Sequence, residues 1–246
     1  MMEPARRVAT DQEADPVVER GLLRIAGTLL IAGFLLEIIA EALHPSKAHP
    51  NNHPAVFAEY AKSDSWTAIH AFQFVAIIVG LTGLLVLYRA LALRKQLPLL
   101  SRLAAAATVA TGALFAVLQA IDGVALKHSV DAWVAASAAE KSARFATAET
   151  VRWLEWGANS YFRFLLGLSL VLYGIVVARS WIVPRWLGWC AALSGLLFIA
   201  VGVIVGEDGF THGQGGVGLA AIIFYLVFSG GLLVTGWRRQ VAVAPT

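Results

Sequence analysis

A chain of 246 residues that is 58% hydrophobic and only 14% charged lacks the charge to cover itself with a water-facing surface, since soluble domains are about a quarter charged. The formal net charge of +3 is too small to point to nucleic acid, and the single cysteine, Cys190, excludes an intrachain disulfide framework or a cysteine metal cluster. A mean hydropathy of +0.69 instead puts most of the chain in lipid.

Residues 1–21 are polar and mixed in charge. They lack the basic start, short apolar stretch and small-residue cleavage site of a signal peptide, so they are expected to form a tail ahead of a retained helix. About 20 apolar residues cross the hydrocarbon core as a helix. On that criterion six spans are predicted, at 22–43, 67–91, 103–126, 156–178, 184–205 and 216–237. The first closes at His44-Pro45. Pro45, Pro50, Asn51, Asn52 and Pro54 then predict a turn-rich loop, with His49 and His53 as solvated turn residues and a short surface helix from Ala55 to Lys62. The segment from Val130 to Glu149, rich in alanine with scattered charge, is predicted as a surface helix running into the fourth span. Between the fourth and fifth spans, Arg179 to Val183 makes a tight turn, and Pro184 suits the first turn of a helix. Trp181, Trp186 and Trp189 fit an interfacial aromatic belt. A glycine-rich loop is expected from Gly206 to Gly218, and 238–246 form the closing tail. The expected fold is therefore all-α: a polytopic transmembrane helix bundle occupying 22–237. The first three and last three helices show no repeat of the kind found in inverted-repeat transporters.

Lysine and arginine beside the helix ends set orientation. One side gathers Arg6, Arg7, Arg20, Arg24, Arg89, Arg94, Lys95, Arg102, Arg179, Arg185, Arg238 and Arg239. The other has Lys47, Lys62, Lys127, Lys141, Arg144 and Arg152. The larger set predicts that both termini are cytoplasmic.

Ionisable groups inside spans are costly and usually face the bundle interior. Here they gather toward the non-cytoplasmic end. Glu37, Glu41 and His44 share one face of the first helix, by spacings of four and three. His70 and Gln73 share a face of the second, and Gln119 and Asp122 lie near the end of the third. Arg152, Glu155, Asn159 and Arg163 form a stripe on the fourth, with Arg163 more than a turn inside the predicted boundary. A structural role would have these groups pair and hold helices together, with Arg163 balanced by Glu37, Glu41 or Asp122; depth favours Asp122 and Glu37. A functional role would make Glu37, Glu41, His44, His70, Gln73, Asp122, Glu155, Asn159 and Arg163 the walls of a ligand pocket. Carboxylate and imidazole also suit a divalent metal, so Glu37, Glu41, His44 and His70 are candidate ligands. Haem between His44 and His70 is a variant of that idea. No phosphate-binding loop follows the glycines, because no Gly-Lys-Ser or Gly-Lys-Thr is present.

Several short motifs carry a family resemblance: Leu43-His44-Pro45 closing the first helix, Trp66 and His70 opening the second, Ile121-Asp122-Gly123-Val124-Ala125-Leu126 closing the third, and Pro184-Arg185-Trp186-Leu187-Gly188-Trp189 opening the fifth. Together they resemble small bacterial six-helix membrane proteins classed as a domain of unknown function. The resemblance implies the topology and a bacterial inner (plasma) membrane, and it brings no established activity. Glu37, Glu41 and Arg163 are additions to its bare pattern.

Three function classes remain. The first is a binding module for a small ligand, lipid or metal. The second is a membrane enzyme acting on a lipid or isoprenoid, with Glu37, Glu41 or Asp122 as acid and base. The third is a transporter subunit, which the scarcity of polar groups in the cytoplasmic halves of the last two helices counts against. A reporter that works only in the cytoplasm is expected to be active when fused after Thr246. Activity of such fusions only on the far side of the membrane would refute the orientation.

Overall fold

The computed structural model describes residues 15–94 and 97–238. Arg6, Arg7, Lys95 and Arg239, used above for orientation, lie outside the described residues, as does most of both tails.

Eight α-helices are described: α1 Pro16–Leu43, α2 His53–Tyr60, α3 Trp66–Leu93, α4 Pro98–Ala120, α5 Lys127–Ala135, α6 Lys141–Ser180, α7 Arg185–Asp208 and α8 His212–Trp237. A π-helical segment, Ile121–Leu126, joins α4 to α5 without a break. Six helical runs are long and apolar enough to cross a membrane, so the protein is a multi-pass helical membrane protein.

Helix ends follow local chemistry. The Asp15 side chain accepts from the Val17 amide at 2.8 Å, and Pro16 takes the first helical position, where its missing N–H leaves no bond unmade. Leu97, with φ of 45°, turns the chain before Pro98 opens α4. At the other tight turn Trp181 takes φ of 58°, and Arg185 stacks over its ring at 4.5 Å while donating to the Ala178 carbonyl at 3.0 Å. Both turns lie at the end of the bundle that also carries residues 16 and 238, called proximal below. There Arg20 reaches the Arg238 carbonyl, and Arg94 makes a two-point ion pair with Glu19 at 2.6 and 3.1 Å.

The spans close into a ring in the order α1, α3, α4, α6, α7, α8, and α8 returns to α1. Small residues set the spacing. A β-carbon at Gly174 of α6 would stand 2.5 Å from the Ala192 amide nitrogen of α7, and one at Gly33 of α1 would meet Gly80 of α3 at the same distance. Backbones can approach this closely only where no side chain intervenes, which is how helices gain packing energy in lipid. The proximal half of the ring is filled by an apolar core that includes Leu23, Leu30, Leu84, Leu87, Leu91, Leu170, Tyr173, Leu187, Phe228 and Leu232. Outward, Leu35, Ile39, Val109, Leu196 and Ile223 are exposed, as lipid-facing positions require.

The distal end differs from expectation. The 40 residues of α6 would stretch about 60 Å at 1.5 Å per residue, about twice the hydrocarbon thickness. Its start therefore projects beyond the bilayer and packs against α5. The predicted surface helix over Val130–Glu149 is thus two helices, broken at 136–140. The predicted surface helix over Ala55–Lys62 is α2, and it is not loosely placed: Val56, Phe57 and Tyr60 are buried against Trp66, Leu126, Val130 and Ala148. His53 is not a solvated turn residue. It is buried, and its Nδ1 lies 2.8 Å from Glu149. His49 is exposed, as expected. The glycine-rich stretch predicted as a loop is largely helical, leaving only 209–211 between α7 and α8. In lipid the backbone has to bond to itself, and that demand overrides the low helix propensity of glycine.

The glycine contacts are testable. Gly174→Ala is expected to destabilise the protein by about 1–3 kcal/mol through overpacking. Gly157→Ala, where an added β-carbon meets nothing within 4 Å, is expected to be neutral or stabilising. Thermal unfolding in a mild detergent distinguishes the two.

Candidate functional site

The distal half of the ring is not filled. It holds a cavity of about 520 Å³ bounded by all six spans and by α2. The pattern that builds it is the one on each helix: apolar residues toward the proximal end, polar ones toward the distal end, on the faces turned inward.

The floor is made by Leu30 and Phe34 of α1, Leu81 and Leu84 of α3, Phe115 of α4, Leu166 of α6, Phe198 of α7 and Ile222 and Tyr225 of α8. Tyr225 donates to the Leu30 carbonyl at 3.1 Å, which ties α8 to α1 at this level. Above the floor stand Glu37 and Glu41 of α1, Gln73 of α3, Gln119 of α4, Asp122 of the π segment, Asn159 and Arg163 of α6 and Gln214 of α8. Glu155, Arg152, Tyr60, Glu59 and His44 complete the wall toward the distal mouth.

The π segment aims Asp122. A π turn leaves carbonyls without their helical donors, and such segments recur at functional sites. Here α3 captures them: the Trp66 indole donates to the Asp122 carbonyl at 2.9 Å, and the Thr67 hydroxyl donates to the Gly123 carbonyl at 2.9 Å. A β-carbon at Gly123 would collide with the His70 side chain, so glycine lets the two helices close here. The result brings Asp122 Oδ2 within 3.1 Å of His70 Nε2. His70 Nδ1 lies 2.7 Å from the Trp66 carbonyl, which can only accept, so the hydrogen of the neutral ring belongs on Nδ1.

Arg152 and Glu155 are both buried and form an ion pair. The Arg152 guanidinium also faces the rings of Phe210, Tyr60 and Trp156 at 5.1, 5.7 and 5.9 Å. On the cap, the Glu59 carboxylate accepts from the Lys47 and Ala48 amides at 2.9 and 2.8 Å. Partial burial pushes the Glu59 carboxyl up, but those two amides and the nearby Lys47 charge together outweigh it and hold the group below its ordinary value.

Arg163 departs from the expected pairing. Its Nε donates to Asn159 Oδ1 at 2.7 Å, and among the described residues no carboxylate comes within ion-pair distance. The carboxylate charges that bear on it are Glu37 and Glu41, across the cavity, and not Asp122, which faces His70. Depth along the sequence ranked the partners by level but carried no information on which helices face each other.

The nine residues expected to form a pocket are thus placed as follows. Glu37, Glu41, His44, Gln73, Asp122, Glu155, Asn159 and Arg163 line one cavity, and His70 stands behind Asp122. Arg152, Gln119, Tyr60 and Gln214 join the wall beyond that set. Arg152 carried a signal in its three-residue spacing from Glu155; Gln214 carried none, set among glycines. Glu37, Glu41, His44 and His70 are not drawn together as a metal-binding cluster. His70 Nδ1 is bonded to the Trp66 carbonyl, and no cluster of three or more His, Cys, Asp or Glu suited to a metal occurs among the described residues. Haem between the two histidines does not fit either. Their rings meet edge to face with centroids 5.3 Å apart, within a stack that includes Trp66 and Tyr60.

Five buried polar atoms of the wall have no hydrogen-bond partner within the described protein: Glu37 Oε2, Gln119 Oε1, Asp122 Oδ1, Gln214 Oε1 and Arg152 Nε. Orphaned groups in a low-dielectric site are completed by ordered water or by a bound species.

This is a membrane-embedded helix ring with a polar-walled, apolar-floored cavity at one end. The chain belongs to the family described as domain of unknown function (DUF4386), whose model matches residues 25–237. No curated protein and no solved structure matches it.

The buried ion pair gives a direct test of the wall. Arg152→Met is expected to cost about 3–5 kcal/mol, because Glu155 is left charged and unpaired. Adding Glu155→Leu to Arg152→Met should restore part of the loss, with unfolding in detergent as the measurement.

Proposed function

We propose that the protein binds an amphiphilic small molecule or single-chain lipid in the distal cavity. The observation that carries this reading is the division of the cavity. An apolar floor sits beneath a polar wall, several of whose acceptors and donors lack partners among the described residues. Its volume of about 520 Å³ lies within the roughly 300–1,000 Å³ of small-molecule pockets. Under the basic-residue bias, the mouth opens to the non-cytoplasmic side of a bacterial inner membrane, with both termini cytoplasmic.

A second reading, an enzyme acting on a lipid or isoprenoid, is favoured by the His70–Asp122 pair. It sets an imidazole 3.1 Å from a carboxylate beside the cavity, and Asp122 Oδ1 has no hydrogen-bond partner among the described residues. A carboxylate in that setting can give or take a proton from a bound molecule. A transporter draws no comparable support, since the proximal half of the ring is packed with apolar side chains.

Organic extraction of the detergent-purified protein, followed by mass spectrometry, is expected to release an amphiphile in near-stoichiometric amount. Gly80→Leu, in protein whose unfolding in detergent matches the wild type, should lower that yield, because Gly80 lines the cavity and a β-carbon there meets only Tyr225 at 3.8 Å and Gly33 at 4.0 Å. An extract without amphiphile, or an equal load on the variant, would sink the reading.

A further inference from the structure

The charges of the cavity wall separate by helix. Three of its acidic groups are already answered: Glu155 by Arg152, Asp122 by His70, and Glu59 by two amides. What remains is Glu37 and Glu41 on α1 and Arg163 on α6. In the ring order α1 and α6 stand opposite one another. The two signs therefore face each other across the cavity, and they do not meet: no carboxylate of the described residues lies within ion-pair distance of Arg163.

Each side keeps capacity toward the cavity. Arg163 spends Nε on Asn159, and neither of its terminal nitrogens makes a hydrogen bond among the described residues. Glu37 Oε2 is buried and has no partner. Glu41 is exposed one turn nearer the mouth. Opposite charges held apart in a low-dielectric cavity are matched by a single ligand that carries both, with the positive group toward α1 and the negative group toward α6. A cation alone would leave Arg163 unanswered, and an anion alone would leave Glu37 unanswered. Directly below lie Leu30, Phe34 and Leu84, so the same ligand has an apolar portion.

We propose that the ligand is a single-chain zwitterionic amphiphile, its ammonium on Glu37 and Glu41, its phosphate or carboxylate on Arg163, and its tail on the apolar floor. This assignment rests on the reading of the cavity as an amphiphile site. A head group of this kind comes either from a lysophospholipid or from an alkylated amino acid, and the two share the chemistry that the wall recognises.

The experiment measures binding of matched twelve-carbon probes to the purified full chain in nanodiscs, by native mass spectrometry and thermal shift. The zwitterions are lauroyl lysophosphatidylethanolamine and N-dodecylglycine. The comparators are lauroyl lysophosphatidylglycerol, dodecanoate and dodecylamine. Zwitterions are expected to bind about ten-fold more tightly than either singly charged class, since one charged contact is worth about that factor. Preference for the first zwitterion assigns the phosphate source, and preference for the second assigns the carboxylate source. Glu37→Gln should erase the advantage over the anions, and Arg163→Gln the advantage over dodecylamine, in variants that remain monodisperse. If a variant fails to fold, the wild-type probe series decides alone. Equal binding of all five probes, or a preference for one single charge, overturns the zwitterion while leaving an amphiphile site standing. No binding by any probe overturns the amphiphile reading itself.

Discussion

The absence of water in the hydrocarbon core governs this structure. A polar group there has to find its partner inside the protein, and a backbone has to bond to itself. Six helices satisfy the second demand, including through the glycines before and within α8. The first demand is met unevenly. The proximal half of the ring closes on leucine, valine and aromatic side chains, and its buried hydroxyls, such as Ser101, Thr108, Ser180 and Ser229, are spent on carbonyls of their own helices. The distal half contains most of the ionisable groups and closes around a cavity.

That asymmetry is built by two devices. Where glycine and alanine face each other, as at Gly174 with Ala192, the backbones touch and no space is left. Where glutamate, arginine and glutamine face inward, the helices enclose a cavity. The π segment then fine-tunes one wall. By giving up helical hydrogen bonds that Trp66 and Thr67 replace, it rotates Asp122 onto His70. The cap completes the compartment: α2 lies over it, held by Glu59 to the preceding loop, by His53 to Glu149 on α6, and by an aromatic cluster beneath.

Within the wall, Glu155, Asp122 and Glu59 are answered locally, while Glu37, Glu41 and Arg163 are not. The neighbour of Arg163 is an asparagine, its opposing charges are across a gap, and a guanidinium does not lose its proton in a protein. A charged group at membrane depth faces the bundle interior or a water-filled cavity, as Arg163 does here. The gap in front of it is bipolar, with Glu37 and Glu41 of α1 on the opposite wall.

Much of this was legible in the chain itself. Span length and apolarity determined six membrane helices, because crossing lipid imposes a length that only such runs supply. Spacing of three and four determined that Glu37, Glu41 and His44 share a face, because the helix period is fixed. Tertiary structure alone decided which faces meet. It set Asp122 against His70 and left Arg163 looking across at Glu37, a choice made by ring order and by where small residues permit contact. It also drew Val130–Glu149 and the segment around His53 into a packed cap, because aromatic residues far apart in sequence, Phe57, Trp66, Trp133 and Phe145, bury one another only after the spans have assembled. Local propensity reports the cost of forming each helix, but the partner that makes a polar residue structural or functional lies on another helix, at a distance along the chain that no local pattern encodes.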